Sequence, residues 1–432
     1  SENLTSPSNG MCAWIRKDSN TGWMHGRVKR ALLSSTDSTD LDRTNLMIYN
    51  GVNYGTFASA SGWSLTGAAA PTISGGKLNF DGTSGTGLAQ RAVTPAAITT
   101  GDTYTMKFTV TRTSGSISAR VADASYAPSI SASGTYYQEI RAGGSPNETI
   151  LFYGNSFNGT VDDVEVYIQD QDRSRNSTGM TVVGTVPRSP VADGAELMAY
   201  GPFNNGYLQQ EYSAALDYGT GDFYYMIWIN LSSHSPLQGI WSRQWQGQSS
   251  GNRIQFQTVG NGDGKLAIYS GSNQSDLGND SKCGLGVWHH IAMVRRSGTM
   301  YWYKDGVQFS SYSDTTNYTN TTNGGAKLRL GGLNLVSSGQ EYTNNAYDMT
   351  QGKLALFRTG STAPSPEQLK KMYYDEKKLF EKNAKCSLYG TSNQVTAVAY
   401  DDTNDILHAG TSSGRSEFVG LNRINNTTTA VT

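Results

Sequence analysis

Alternation of apolar and polar residues is the dominant pattern of this chain. In "TYTMKFTV" (103–110), Tyr104, Met106, Phe108 and Val110 fall on one face, while Thr105, Lys107 and Thr109 fall on the other. A strand with one buried face produces that period of two. Similar short segments follow one another from about 50 to 170: "GKLNFDG", "SISARVAD", "TYYQEIRAG", "ETILFYG" and "VDDVEVYIQ". Gly/Ser turns separate them, as expected of an antiparallel sandwich. The polar run "QDQDRSRNSTG" (169–179) then reads as a linker.

A second β-rich block runs to about residue 362. "DFYYMIWIN" (222–230) is apolar on both faces, which predicts an inner strand covered on both sides. Asp305-Gly306, between "TMYWY" and "VQF", is a hairpin signal. One helix is predicted, in "SPEQLKKMYYDEKKLFEKN". Ser365 is its N-cap, Pro366 its first residue and Gln368 completes a capping box. Leu369, Met372, Tyr373, Leu379 and Phe380 form its buried stripe. The last fifty residues return to strands, around "QVTAVAYDDTNDILHAGTSSGRSEFVG". At the front, "MCAWIRKDSNTGWMHGRV" reads as hairpin-like about an Asp-Ser-Asn-Thr-Gly turn.

The fold class expected is therefore all-β: two antiparallel β-sandwich (jelly-roll) domains, a short C-terminal helix after the second, and a β tail resembling one propeller blade. The boundaries expected are 1–47 for an N-terminal hairpin and connector, 48–170 for the first sandwich, 171–382 for the second and 383–432 for the tail.

Charge narrows the partners. The chain carries 34 basic and 35 acidic residues, and charged residues are only 16% of it. Such balance offers no electrostatic lure to nucleic acid or an anionic membrane. No apolar run approaches the ~20 residues of a membrane-spanning helix. Cys12, Cys283 and Cys386 are far apart and odd in number, so they suggest neither a disulfide framework nor a zinc knuckle. Sequons such as those at Asn176 and Asn317 recur without paired cysteines. A protein folded in a reducing cytosol that works outside the cell fits these features, and viral particles assembled in bacteria meet that description.

Three chemistries bear on the function. His289 and His290 adjoin in "GVWHHIAMVRR", but neighbours on a strand point to opposite faces and cannot share one metal. They read as sheet interior. Glycan cleavage needs two carboxylates ~5–9 Å apart in a cleft. "FYYMIWIN", "IQFQTVG", "IAMVRR" and "KLALFR" carry no acid, and no G-x-S-x-G, HExxH or P-loop occurs. No catalytic residue is assigned. Sugar binding needs exposed aromatics among amides and charges. "GIWSRQWQGQSSGNR" (239–253) reads as a strand edge and loop that offers these, so Trp241, Arg243, Trp245 and Asn252 are the candidate glycan-binding residues.

Several stretches together resemble known families. "GYLQQEYSAALDYGTGDFYYMIWI", "VWHHIAMVRRSGTMYWYKDGV" and "GKLALFRTGSTAPSPEQLKKMYYDE" resemble a laminin G-like (concanavalin A-like) sandwich over about 180–382. In that family the Trp-His-His strand is structural. "NYGTFASASGWSL" and "GTVDDVEVYI" resemble the opening and closing strands of jelly-roll carbohydrate-binding modules. Some such modules hold a structural calcium, which makes Asp162 and Asp163 the candidate ligands; no cofactor is otherwise required. The order of modules is similar to large bacteriophage tail fibre or virion adhesion proteins, which implies that the chain is part of a longer polypeptide.

The function expected from this is a structural virion protein, a bacteriophage tail fibre or spike component that binds host-surface glycan without cleaving it. Its partners would be host cell-surface polysaccharide, other virion proteins and its own copies, with a trimer favoured, and no nucleic acid or membrane insertion. It would be made in the bacterial cytoplasm and work on the virion. The alternatives are a capsid-decorating or architectural virion protein without glycan affinity, and a glycan depolymerase.

Overall fold

A computed structural model describes residues 28–36, 38, 40–42, 46–49, 51–82, 85–92, 98, 103–122, 124–143, 149–170, 179–244, 253–259, 262–270, 273–319, 326–333, 336–337, 340–341, 347–390 and 395–431. The hairpin expected over 11–27 lies outside them. The chain divides into two compact units, Asp42–Asp170 and Ser1–Leu41 with Gln171–Thr432. It is almost entirely antiparallel β-structure with one α-helix among the described residues.

In the first unit two long strands, Thr103–Val121 and Thr149–Asp170, pair from Ile168↔Tyr104 to Ile150↔Val121. Gly134–Arg141 adds to the first half of Thr103–Val121. Thr86–Ala92 and Lys77–Asp81 add to Thr149–Asp170. The alternation of 103–110 places Tyr104, Met106, Phe108 and Val110 in the core, against Phe152, Val161 and Val166. Thr105, on the other face, is also buried, because the Gln169 side chain lies over it and hydrogen-bonds its hydroxyl. Where the two long strands bulge, Gly115 has φ +70°, and a Cβ there would meet the Ser156 carbonyl oxygen at 2.0 Å. Only glycine fits that crossing.

The second unit is a sandwich. One sheet runs, in spatial order, Arg188–Pro190, Met198–Tyr200, Gly352–Gly360, Phe223–Leu231, Trp288–Arg296, Thr299–Lys304 and Val307–Ser313. The other runs Met180–Val183, Tyr207–Gln210, Lys327–Leu330, Gly239–Gln244, Ile254–Thr258, Leu266–Ser270 and Asn273–Asp276. Between them pack Tyr225, Ile227, Ile291, Met293 and Trp302 from the first, with Trp241, Phe256, Ile268, Leu328 and Leu330 from the second.

"DFYYMIWIN" is covered on both sides, as its composition requires. Tyr225, Ile227 and Ile229 belong to the inter-sheet core, while Tyr224 and Met226 pack with Leu369 and Met372 of the helix Pro366–Lys377. Each such side chain contributes about 1.5–3 kcal/mol on burial. The capping box forms: Gln368 N donates to Ser365 Oγ at 3.2 Å, and Ser365 N to Gln368 Oε1 at 2.8 Å. The helix also buries a charge that its apolar stripe did not announce. Glu376 is fully buried, accepting from Trp228 Nε1 at 2.6 Å and pairing with Arg358.

The Asp305-Gly306 turn has φ +53° and +77°, the left-handed pair of a type I′ hairpin. The tail is a four-stranded antiparallel sheet, Val395–Asp401, Ile406–Thr411, Gly414–Val419 and Asn422–Asn426. No helix among the described residues is long and apolar enough to cross a membrane.

Candidate glycan-binding surface

Trp241 and Arg243, expected on an exposed edge, are inside. Gly239–Gln244 pairs with Ile254–Thr258 on one side and Lys327–Leu330 on the other, so it is an interior strand. A bulge between Gly239 and Trp241 sends both Ile240 and Trp241 into the core. Trp241 is 2% exposed and stacks on Tyr225 with ring centroids 4.3 Å apart. Arg243 is 1% exposed, ion-paired with Asp217 and donating to the Tyr318 carbonyl at 3.1 Å. Neither presents a face to a sugar in this arrangement. Trp245 and Asn252 lie outside the described residues.

The same strand carries a different set on its other face. Register aligns Thr181, Gln209, Arg329, Ser242, Gln255 and Tyr269 in one row across six strands. Leu208, Leu330, Phe256 and Ile268 point into the core, so alternation turns this row away from it. Gln244 sits beside it, opposite Lys327, and accepts from Gln255 Nε2. Arg329 pairs with Asp348 at 2.7 Å and lies 3.5 Å over the Tyr207 ring. Arg253 lies 4.5 Å over Tyr269. Burial raises the Asp348 carboxyl above the ordinary range, against the pull of Arg329.

Ser242, Gln255 and Arg329 in the middle of the row are 0%, 2% and 3% exposed, so the chemistry of a sugar surface lies at its half-buried ends, Gln209 and Tyr269. Side-chain amides donate and accept at once, matching neighbouring hydroxyls, and the tyrosine ring offers an apolar face. "IQFQT" displays this alternation in the sequence, but its polar members are glutamines and carry no aromatic signal.

The first unit carries a second aromatic group. Tyr126, 43% exposed, lies 5.2 Å from Tyr153 at 45°, with the Arg120 guanidinium 5.2 Å over its ring. Ser118 is the cross-strand neighbour of Tyr153 and Gln90 of Leu151.

Asp162 and Asp163 sit at a bulge of the closing strand, where Asp163 has φ +52° and its N–H donates to Asp162 Oδ1 at 2.8 Å. The neighbouring Glu165 is taken by Lys107 at 2.7 Å and by the Tyr167 hydroxyl. Calcium takes six to eight oxygens. Among the described residues no three His, Cys, Asp or Glu side chains converge to hold a metal. At this bulge the Asp162 carboxylate caps the Asp163 N–H.

His289 and His290 take separate roles on opposite faces. His289 Nδ1 is 2.7 Å from Asp305 Oδ2. His290 is fully buried, with Trp228 and Tyr373 rings 5.4 and 6.4 Å away.

Comparison with known proteins bears on the second unit. Residues 204–370 match the model of the concanavalin A-like lectin/glucanases superfamily. Among solved structures, domain 4 of AbnA, an extracellular arabinanase of family GH43 from Geobacillus stearothermophilus solved with arabinotriose, is 19% identical. It covers 46% of this chain and 90% of its own, with a TM-score of 0.34. A pentraxin from Limulus polyphemus is 15% identical over 35% of this chain and 69% of its own, with a TM-score of 0.28. The receptor-binding domain of a botulinum neurotoxin C/D mosaic is 12% identical over 58% and 59%, with a TM-score of 0.34. No curated protein matches the chain. Residues 204–370 thus have the concanavalin A-like lectin/glucanase fold, within an almost wholly β chain.

Proposed function

We propose that this chain is a non-catalytic glycan-binding component of a bacteriophage particle, a tail fibre or spike that adheres to host polysaccharide. The observation that carries glycan binding is the polar row Gln209–Arg329–Ser242–Gln255–Tyr269 on the outer face of a lectin-type sheet, with Gln209 and Tyr269 as its accessible ends. Support for the virion setting is the sequence's order of modules, its low charge and its unpaired cysteines. Weak single sites gain avidity when copies display them together, which favours a homo-oligomer, a trimer in this reading. Its partners would then be host polysaccharide and other virion proteins. It would be synthesised in the host cytoplasm and act on the particle, without a required cofactor.

The test is retention of host-surface polysaccharide by the purified oligomer with polymer length followed in parallel. Retention at constant length supports adhesion, and shortening of the polymer assigns a depolymerase. One observation favours a second, architectural reading: Ser242, Gln255 and Arg329 are 0%, 2% and 3% exposed, so the middle of the row is packed and not open. Neither retention nor shortening would assign the chain to that role.

A further inference from the structure

One peptide group in the second unit is held by two histidines. His234 Nε2 lies 2.7 Å from the carbonyl oxygen of Cys283, and Gly284 N donates to His289 Nε2 at 3.1 Å. The Cys283 carbonyl and the Gly284 amide belong to the same peptide bond. A carbonyl only accepts, so His234 Nε2 carries a proton. An amide N–H only donates, so His289 Nε2 is bare. The proton of neutral His289 therefore sits on Nδ1, which donates to Asp305 Oδ2 at 2.7 Å. Asp305 is fixed in turn: its Oδ1 accepts from His290 N at 2.9 Å, and its own N donates to His290 O at 2.8 Å.

The two grips respond oppositely to acid. A protonated His234 still donates to the carbonyl, so its contact persists. A protonated His289 has a second N–H, which turns its Nε2 from acceptor to donor and sets N–H against N–H at Gly284. Charged and titratable groups reach this loop from its own Asp280, Lys282 and Cys283 and from neighbouring elements. Asp305 lies beneath His289, and Lys304 Nζ donates to the carbonyls of Asp280 and Lys282 at 2.6 and 2.7 Å. Asp263 and Lys265, themselves paired at 3.0 Å, flank Gly264, which packs on His234. Burial keeps the Cys283 thiol neutral, pushed up to about 12. The loop then returns through Gly286, whose N donates to Leu231 O at 2.8 Å. Just there Leu285 and Val287 are each 51% exposed.

We propose that this double-histidine clamp is a pH-sensitive latch: acidification breaks the His289–Gly284 contact and loosens the loop at Gly284, while His234, the Cys283 N–Gly264 O bond at 3.1 Å and the Gly286 N–Leu231 O bond hold its two ends. The latch is independent of whether the chain binds glycan.

Hydrogen exchange of the full chain tests it, on a peptide covering 282–287, at roughly pH 7.5 and 5.5, within the interval where imidazoles change charge. With intrinsic exchange rates corrected for, protection of the Gly284 amide in that peptide should fall at least tenfold at the lower pH. The strand Trp288–Arg296 should keep its protection. The fall should be absent in His289→Gln, whose side chain does not titrate, and present in His234→Gln. Equal protection at both pH values, or an equal fall in His289→Gln, overturns the latch. Nitrogen-15 NMR of wild-type His289 gives a reading that needs no variant. A proton on Nδ1 at the higher pH is expected, and a proton on Nε2 contradicts the clamp.

Discussion

Glu196 and Ser387, 191 residues apart, are joined by two hydrogen bonds: Glu196 Oε2 accepts from Ser387 N at 2.9 Å and from its Oγ at 2.7 Å. The same oxygen accepts from Cys386 N at 2.8 Å, and Oε1 meets Arg423 NH2 at 3.2 Å. One carboxylate therefore fastens the segment leading into the tail sheet, and one of that sheet's own strands, to the sandwich. Burial alone would raise the Glu196 carboxyl; the bonds from Ser387 and Cys386 and the Arg423 charge outweigh it and hold it below the ordinary range.

Glu196→Ala should therefore cost about 1–3 kcal/mol, by leaving part-buried donors unmet. It should show as early protease cleavage between 383 and 395, with the sandwich intact. Because the folded-state value is depressed, the contribution is present above the carboxylate's unfolded value and is lost as pH falls through the folded one. Limited proteolysis of wild type and variant from neutral to about pH 3 checks both points.

His290 makes a second prediction about acid. Burial, helped by Arg358 and opposed by Asp305, lowers its imidazole to about 3. Neither ring nitrogen finds a hydrogen-bond partner among the described residues. A depressed value means that the unfolded chain takes the proton first. Stability should fall below about pH 6.5 by roughly 1.4 kcal/mol for each unit down to about 3. Glu376, raised by burial against Arg358, titrates in the other direction and offsets part of the loss as pH falls through its folded value. His290→Phe should flatten the upper part of that profile in urea titrations, and an unchanged slope would place the acid sensitivity elsewhere.

Trp241 belongs to the core, so Trp241→Ala should destabilise the sandwich by about 3–5 kcal/mol. Under conditions where the variant stays folded, its glycan retention should match wild type. Denaturant midpoints and retention measured on one preparation separate the two effects.

Period-two alternation located the strands, and capping chemistry located the helix, because both are local. Ser365 and Gln368 meet within one turn, and Asp305-Gly306 needs only its own φ values. The face of Gly239–Gln244 was not local. A bulge at its start shifts which residues point inward, and two neighbouring strands from distant sequence make it interior. The partners of Glu376 and Glu196 were also illegible, since a charge on a helix or in a loop does not announce a buried Trp228 148 residues earlier, or a Ser387 much later. The row through Gln255 becomes visible only once the register of six strands is known.

The most direct measurement is calorimetric titration of purified host polysaccharide into the wild-type protein, Tyr269→Ala and Gln209→Ala, with polymer length checked afterwards. The account predicts saturable binding by wild type, an affinity at least tenfold weaker in each variant (about 1.4 kcal/mol) and an unshortened polymer. Equal binding by all three, or a shortened polymer, would contradict glycan adhesion through the polar row.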